Sequence, residues 1–398
     1  MRKATYIAVL GGYGDVTHSF QIARRFVRDL NIDLKFIAAH PTKGKDIQKY
    51  PGITYKWAAY DENNVLKFLT TRLLFEIKSF FHNIFTKNAM FYYERHRALG
   101  FSTYLASKIT KVPFFLEVNG IIELDFEVDK NNSPLITWLN KINLNFQTIF
   151  MKSANLLFTP TQGIKNIIAS QYGINPKKIK VVPNGADSEI FYPMNKKDMR
   201  KQLNLPQDKK IVIFVGGFKK WHGIKTIIES IPIVIKNDKN VLFLLVGDSK
   251  NPALMNDLKQ KIKKLDIEKN IVLTGKVEYK KVPKYINSSD LAICYVSGHK
   301  RNVKQTFTAL KMMEYMACEK AMIVTTPCAV DVKIKETEAG EVINPDDANA
   351  LASGILKLLF NNELRKKYAK NAFSLSKKYY TWNISAKKTE NAILKEIN

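Results

Sequence analysis

Residues 210–236 read KIVIFVGGFKKWHGIKTIIESIPIVIK. A short β-branched and aromatic run, KIVIFV, fits a buried strand. Gly216 and Gly217 break it, and Gly223 opens an amphipathic helix. The same strand–turn–helix unit recurs downstream: NVLFLLVGD (240–248) then PALMNDLKQKIKKL (252–265), NIVLTGK (270–276) then VPKYINSS (282–289), and DLAICYV (290–296) then a helix in TALKMMEYMA (308–317). AMIVTT (321–326) and GEVIN (340–344) add two more strands. Upstream, ATYIAVL (4–10) leads through GGYGD into VTHSFQIARRFVRDL (16–30). DLKFIAAH, AMFYYER, PFFLEVN, ANLLFTPT and KIKVVPN continue the strands to residue 184, with a helix at STYLASKIT (102–110). Strands alternating with helices build parallel sheets with right-handed crossovers.

At 398 residues the chain is too long for one ordinary core. The fold class expected is α/β: two Rossmann-like, doubly wound parallel-sheet domains facing across a cleft. Pro183, Gly185 and Pro193 interrupt the pattern in PNGADSEIFYPMNKKD, so the expected division is 1–190 and 191–375, with a terminal helix at 376–398 packing back on the first domain. Ligands of open parallel sheets sit beyond the carboxyl ends of the strands, and clefts between domains gather small-molecule sites.

Composition narrows the class. The chain is 45% hydrophobic with 18 glycines and 14 prolines, which excludes a disordered or collagen-like polymer. Its net charge of +27 favours anionic partners: nucleic acid, an anionic membrane or phosphorylated substrates. The lysines are spread along the chain and no nucleic-acid module is recognisable, which reads against nucleic acid. Cys294, Cys318 and Cys328 form no CxxC and suit a reducing compartment. The apolar run in MRKATYIAVLGG is too short for a signal peptide. No stretch approaches the ~18 apolar residues of a spanning helix. The expectation is a cytoplasmic protein whose membrane contact, if any, is peripheral and at the inner face. A carrier of such contact is VLKFLTTRLLFEIKSFFHNIF (65–85), where Leu66, Leu69, Leu73, Ile77, Phe80, Phe81 and Ile84 interleave with Lys67, Arg72 and Lys78. The plain alternative is a helix packed on its own sheet.

Chemistry is carried by a few residues. Gly12 and Gly14 give an incomplete dinucleotide fingerprint, with Thr17 at the third position and no acid ending the next strand, so a nicotinamide cofactor is disfavoured. Glycines before a helix still let backbone amides approach an anion. Gly216 and Gly217 do the same in the second half, where Lys219 and Lys220 add ammonium charge for a diphosphate. No D-x-D and no metal-ligand cluster occur in the sequence, so no metal and no cofactor are expected. Glu314 is the outlier. It lies within an apolar helical pattern three residues after Lys311, and a carboxylate there needs a partner. It can accept two hydrogen bonds from the diol of a ribose while Lys311 or the helix end, capped by Thr308, meets phosphates. A surface Lys311–Glu314 pair is the alternative.

These motifs resemble the donor domain of the retaining glycosyltransferase family 4, which has the GT-B fold. The resemblance is carried by VVPNGAD…FYP (181–193), VGGFKKWHGIKTIIES (215–230), LLVGD (244–248), LTGKVEYKKVPKYINSSDLAI (273–293), TALKMMEYMACEKAMIVT (308–325) and GEVINPDDANALASGILKLL (340–359). GGYGDVTHSFQIARRF and YYERHRALGFSTYLASKITKVPFFLEVNG resemble its acceptor domain more loosely. The resemblance implies that Glu314 is the second glutamate of the family's E-x7-E motif and holds the donor's ribose. Thr306 stands where the first glutamate would be, as in a branch with S-P-L-K-x-x-E-Y-M-A, so Thr306 or amides near Phe307 and Thr308 take the donor sugar. The family's phosphate-binding arginine and lysine fall at Gly217 and His222, leaving that charge to Lys219 or Lys220. The implied donor-binding set is Gly12, Gly14, Gly216, Gly217, Lys219, Lys220, Val277, Thr306, Phe307, Thr308, Leu310, Lys311 and Glu314. Lys219, Lys220 and Glu314 are the catalytic candidates. His18, His96 and Asn119 are the acceptor candidates, Asn119 standing where the family often has a histidine.

The activity implied is retaining transfer of a hexose from a UDP- or GDP-sugar to a glycan or lipid-linked acceptor of the cell envelope. The oligomeric state is left open. The rivals are a sugar-nucleotide epimerase on the same fold and an inactive scaffold.

Overall fold

In the computed structural model the described residues are 2–10, 13–40, 50–58, 65–97, 100–121, 124, 134–249 and 251–397. The chain divides into two compact units, Met1–Pro183 with Trp382–Asn398, and Asn184–Thr381. Residues 184–190 and 376–381 thus fall in the second unit rather than the first. Ala186 N donates to Tyr380 O at 2.9 Å, and Ala186 and Phe191 are buried in that unit's core, which ties both crossings to it.

The first unit is a parallel sheet of seven strands: β1 (Arg2–Val9), β2 (Ile32–Ala39), β3 (Ile53–Ala58), β4 (Ala89–Arg95), β5 (Phe114–Glu117), β6 (Leu156–Thr159) and β7 (Ile179–Val181). Their order is β3-β2-β1-β4-β5-β6-β7. Among the described residues five helices connect them: α1 (Tyr13–Leu30), α2 (Val65–Ile84), α3 (Ser102–Thr110), α4 (Pro134–Ser153) and α5 (Gln162–Gln171). Side chains of α2, α3, α4 and α5 share one apolar cluster with β4 to β7, so these four helices cover one face.

The second unit has six parallel strands: β8 (Lys210–Val215), β9 (Val241–Val246), β10 (Ile271–Gly275), β11 (Leu291–Cys294), β12 (Met322–Thr325) and β13 (Glu341–Ile343), ordered β10-β9-β8-β11-β12-β13. Its helices are α6 (Lys196–Gln202), α7 (Ile224–Asn237), α8 (Pro252–Lys264), α9 (Val282–Ser288), α10 (Lys300–Gln305), α11 (Leu310–Ala317), α12 (Asp331–Glu336), α13 (Ala348–Phe360) and α14 (Asn362–Tyr379). α15 (Trp382–Ile397) closes the chain and packs on α1 of the first unit.

β8 shows why the second sheet is two-sided. Ile211, Ile213 and Val215 enter one buried cluster, whereas Val212 and Phe214 enter the other, as the alternation of a strand requires. On the second side α7 buries Ile224, Ile227, Ile228, Ile231 and Val234, the i, i+3, i+4, i+7 stripe of an amphipathic helix. Truncating one of these, Ile228→Ala for instance, costs about 2–5 kcal/mol.

Strand order reverses between β1 and β4 in one sheet and between β8 and β11 in the other. At such a switch point the loops leave in opposite directions and open a crevice. No helix among the described residues is long and apolar enough to cross a membrane. The three cysteines are buried and free.

Candidate functional site

At the β8–β11 switch point the chain turns through Gly216 and Gly217. Gly216 N donates to Val246 O at 2.9 Å and Phe218 N to Asp248 O at 2.8 Å, which lays the turn against the end of β9. The approach is close enough to require glycine: a Cβ at Gly247 would stand 2.0 Å from Gly216 O. A one-turn helix, Lys220–His222, follows, and Gly223 at φ 67° starts α7. His222 Nδ1 donates to Gly217 O at 2.6 Å. Burial, and then the charges of Lys311, Lys219 and Arg301, push this imidazole down to about 3, so it is neutral.

Trp221 lies between Lys219 Nζ, 4.9 Å from its ring centre, and the Arg301 guanidinium at 5.5 Å. Its carbonyl accepts from Ser297 N and Asn302 Nδ2, each at 3.1 Å, so the loops after β8 and β11 are joined.

α11 brings Lys311 to this turn, with Glu314 one helical turn further along. Val215 N donates to Tyr315 OH at 2.8 Å, which fixes the helix against the last residue of β8. Lys311 is only 6% exposed, its Nζ 3.7 Å from the Phe214 ring centre and without a hydrogen-bond partner. A methyl group at Gly216 would stand 3.3 Å from that ammonium. Burial pushes Lys311 down to about 8, with Cys294 and Glu314 opposing the shift. Glu314 is 7% exposed, and its Oε1 accepts from Tyr279 OH at 3.0 Å. Burial pushes this carboxyl up to about 7, against Tyr279 and Lys311. The two residues are therefore not a surface pair.

Around them the expected set is partly rearranged. Thr308 does not cap the helix. Its Oγ1 accepts from Ala329 N at 3.1 Å instead, and the N-cap is Ala309, which has no side-chain acceptor. Thr306 ends α10 with φ 46°, and its N–H is used by Val303 O. Phe307 N donates to Asn302 O at 3.0 Å, so neither amide is spare for a sugar hydroxyl. Phe307 and Val277 pack on the core as partly buried side chains, and Leu310 is half-buried at the first turn of α11. Gly217 and Lys219 are exposed. Gly12 and the Lys220 side chain lie outside the described residues; Gly14 falls in the first turn of α1.

The first unit gathers a different cluster. His18 on α1 has Nδ1 2.9 Å from Glu117 Oε1 at the end of β5. Glu117 Oε2 accepts from Tyr93 OH at 2.9 Å and Tyr6 OH at 3.3 Å, Arg95 stands 3.6 Å away, and Asn119 Nδ2 donates to Oε1. Burial pushes Glu117 up, but His18, Arg95 and Tyr93 prevail and hold it at about 2. A small, open recess is lined by His18, Glu117, Asn119, Thr159 and Trp382, among others. Trp382 meets the His18 ring edge-on at 4.7 Å between centres. Thr159 Oγ1 is buried there without a partner.

His18 and Asn119 are thus brought together, and His96 is not. His96 does not line the recess; its Nε2 bonds Gln147 Oε1, and burial pushes it down to about 4. Glu117, Tyr279, Arg301 and Trp221 are the residues that the sequence reading missed. Glu117 carried the same signal as Glu314, an acid inside an apolar run.

A glycine turn at a switch point, a buried ammonium beside it and a carboxylate one turn along can hold an anion and a diol at once. Comparison with known proteins identifies the family. The model described as "Glycosyl transferases group 1" matches residues 195–375, and that described as "Glycosyltransferase Family 4" matches residues 16–190.

The chain belongs to these glycosyltransferases.

The glycosyltransferase is 23% identical, over 429 aligned positions spanning all of both chains, to an uncharacterized glycosyltransferase of Methanocaldococcus jannaschii. Its fold matches that of sucrose-phosphate synthase from Thermosynechococcus elongatus with a TM-score of 0.78 at 16% identity, covering 99% of each chain. It matches Anabaena HepE, solved with UDP, at 0.77 and 16% identity, covering 99% of this chain and 100% of that one. The fold is GT-B.

Proposed function

We propose that this glycosyltransferase moves a hexose from a UDP- or GDP-sugar to a hydroxyl of a glycan or lipid-linked acceptor in cell-envelope synthesis, retaining the anomeric configuration and needing no divalent metal. The observation that carries the donor reading is the unpaired ammonium of Lys311, buried beside the Gly216–Gly217 turn, with the Tyr279-held Glu314 one turn further along. A buried ammonium without a partner is costly, and an anion arriving at the turn would remove that cost.

In this reading Glu314 accepts the two ribose hydroxyls. Lys311, Lys219, Lys220 and the N-terminus of α7 hold the diphosphate. As the glycosidic bond breaks, charge grows on the leaving phosphate, and these groups stabilise it more than they stabilise the intact donor. The departing phosphate oxygen takes the acceptor's proton on the face where the new bond forms, which retains configuration. No carboxylate nucleophile is needed. UDP is the first base to test, since the Anabaena relative was solved with UDP-glucose as well as UDP. The recess at His18 and Asn119 supports an acceptor hydroxyl in the first unit.

The test is a thermal-shift series of wild type, Glu314→Ala and Lys311→Met against UDP, GDP, ADP and CMP, with and without magnesium. One nucleoside diphosphate should raise Tm without metal in the wild type and in neither variant. A wild type indifferent to every nucleotide ends the donor-site reading.

A further inference from the structure

Nine of the thirteen large apolar side chains exposed among the described residues belong to one region, α2 with the residue after it, α3 and α4. The other four, Tyr192, Val303, Val332 and Phe360, are scattered over the second unit. On α2, Leu73, Ile77 and Phe81 recur every four residues and form a stripe. On α3, Leu105 and Ile109 do the same, Ile109 being 65% exposed, and α4 adds Phe146 and Ile149. The inner sides of these helices are already occupied, because Phe80, Ile84, Tyr104, Ala106, Phe150 and Met151 pack into the shared cluster under the sheet. The outward stripes are therefore a second apolar face, not a displaced core.

The three helices themselves expose charge of one sign. The segments of α2, α3 and α4 contain a single acidic residue, Glu76. It is fully buried: Arg97 and Arg72 pair with it, and its Oε2 accepts from Ser102 N at 3.0 Å and Phe101 N at 3.1 Å at the start of α3. No carboxylate of these helices thus reaches solvent. Lys67, Lys78, Lys108 and Lys152 on them are exposed, as are Lys87 and Lys111 just beyond α2 and α3. The α5 segment, which covers the same face of the sheet, has a lysine and no acid.

We infer that α2, α3 and α4 together form a docking face for an anionic lipid bilayer, with the apolar stripes entering the headgroup–acyl boundary and the lysines reaching the phosphates around them. Apolar area and Lys charge without Asp or Glu are the two terms that drive interfacial binding. The lysine stems let the ammonium groups reach outward while the apolar residues sink. A second copy of the chain is a poorer occupant. A twofold interface sets the same patch against itself, so its rim would oppose lysine to lysine. This goes beyond a single amphipathic helix at 65–85, since two of the three stripes come from α3 and α4.

The test uses the full chain in sedimentation with vesicles of phosphatidylcholine alone and of an equal mixture with phosphatidylglycerol, at low and high salt. Wild type should pellet with the mixed vesicles at low salt, release at high salt and ignore phosphatidylcholine. The triple variant Ile77→Ser/Phe81→Ser/Ile109→Ser should lose about tenfold or more in partitioning. Lys78→Gln/Lys108→Gln should weaken binding and flatten its salt dependence. Nucleotide thermal shifts on the same samples report folding and the donor site separately, so either reading can fail alone. The inference is overturned if wild type ignores mixed vesicles at low salt or if the triple variant binds them undiminished. It is equally overturned if wild type is a dimer that the triple variant dissolves.

Discussion

Two buried carboxylates, one in each unit, meet opposite environments. Glu117 has His18, Arg95, Tyr6, Tyr93 and Asn119 around it and is held at about 2. Glu314 has one hydroxyl, from Tyr279, and is pushed up to about 7. Its nearest cation in sequence, Lys311, is buried and bonds nothing. Both are buried, and the partners around each decide which way it moves. Glu117 is finished by the fold, whereas Glu314 and Lys311 are left incomplete, the condition of a site that a ligand completes.

That contrast can be broken most forcefully at Glu117. Glu117→Ala would take the carboxylate from Arg95 and from the Tyr6 and Tyr93 hydroxyls, and urea unfolding should show a loss of about 3–5 kcal/mol. Lys311→Met should do the reverse: stability unchanged or raised by about 1–2 kcal/mol, with turnover down about 10²–10³-fold. If Lys311→Met destabilised the protein as much as Glu117→Ala, the two carboxylate environments would not differ in kind.

The pH dependence sharpens the same point. Glu314 takes up a proton on folding wherever the pH lies between its unfolded value and about 7, so its destabilising contribution is fully present above 7 and fades as pH falls through that value. Nucleotide affinity should move oppositely, rising through pH 7 as the carboxylate forms. Glu117 contributes stability above its unfolded value, lost as pH falls towards about 2. Calorimetric titration with UDP from pH 5.5 to 8.5, against pH-dependent unfolding, separates the two. The smallest effect is expected of Tyr279→Phe. Losing that hydrogen bond should weaken nucleotide binding about fivefold and raise the pH midpoint.

The fold was legible because buried parallel strands write themselves as apolar runs; KIVIFV and NVLFLLV became β8 and β9 almost residue for residue. α10 was not, since SGHKRNVKQT has no apolar period and its helix hangs on His299, whose Nδ1 accepts from Arg301 N at 3.2 Å. Glu314 stood out as an acid among methionines. Glu117 was equally out of place in FFLEVN, but its meaning depends on Tyr6, Arg95 and His18, distant in sequence and met only through the sheet. Thr308 failed as a cap for a similar reason: a remote amide, Ala329, had a stronger claim on its hydroxyl.

The chain leaves the first unit at Pro183 and returns to it at Trp382. During synthesis the His18 recess therefore lacks its Trp382 wall until all of residues 184–381 have been translated. The first unit is completed only after the second, and the second unit, one uninterrupted stretch of chain, has the opportunity to fold before it. A ribosome stalled short of Trp382 would display the Lys311–Glu314 turn complete and the His18 recess still open on its Trp382 side.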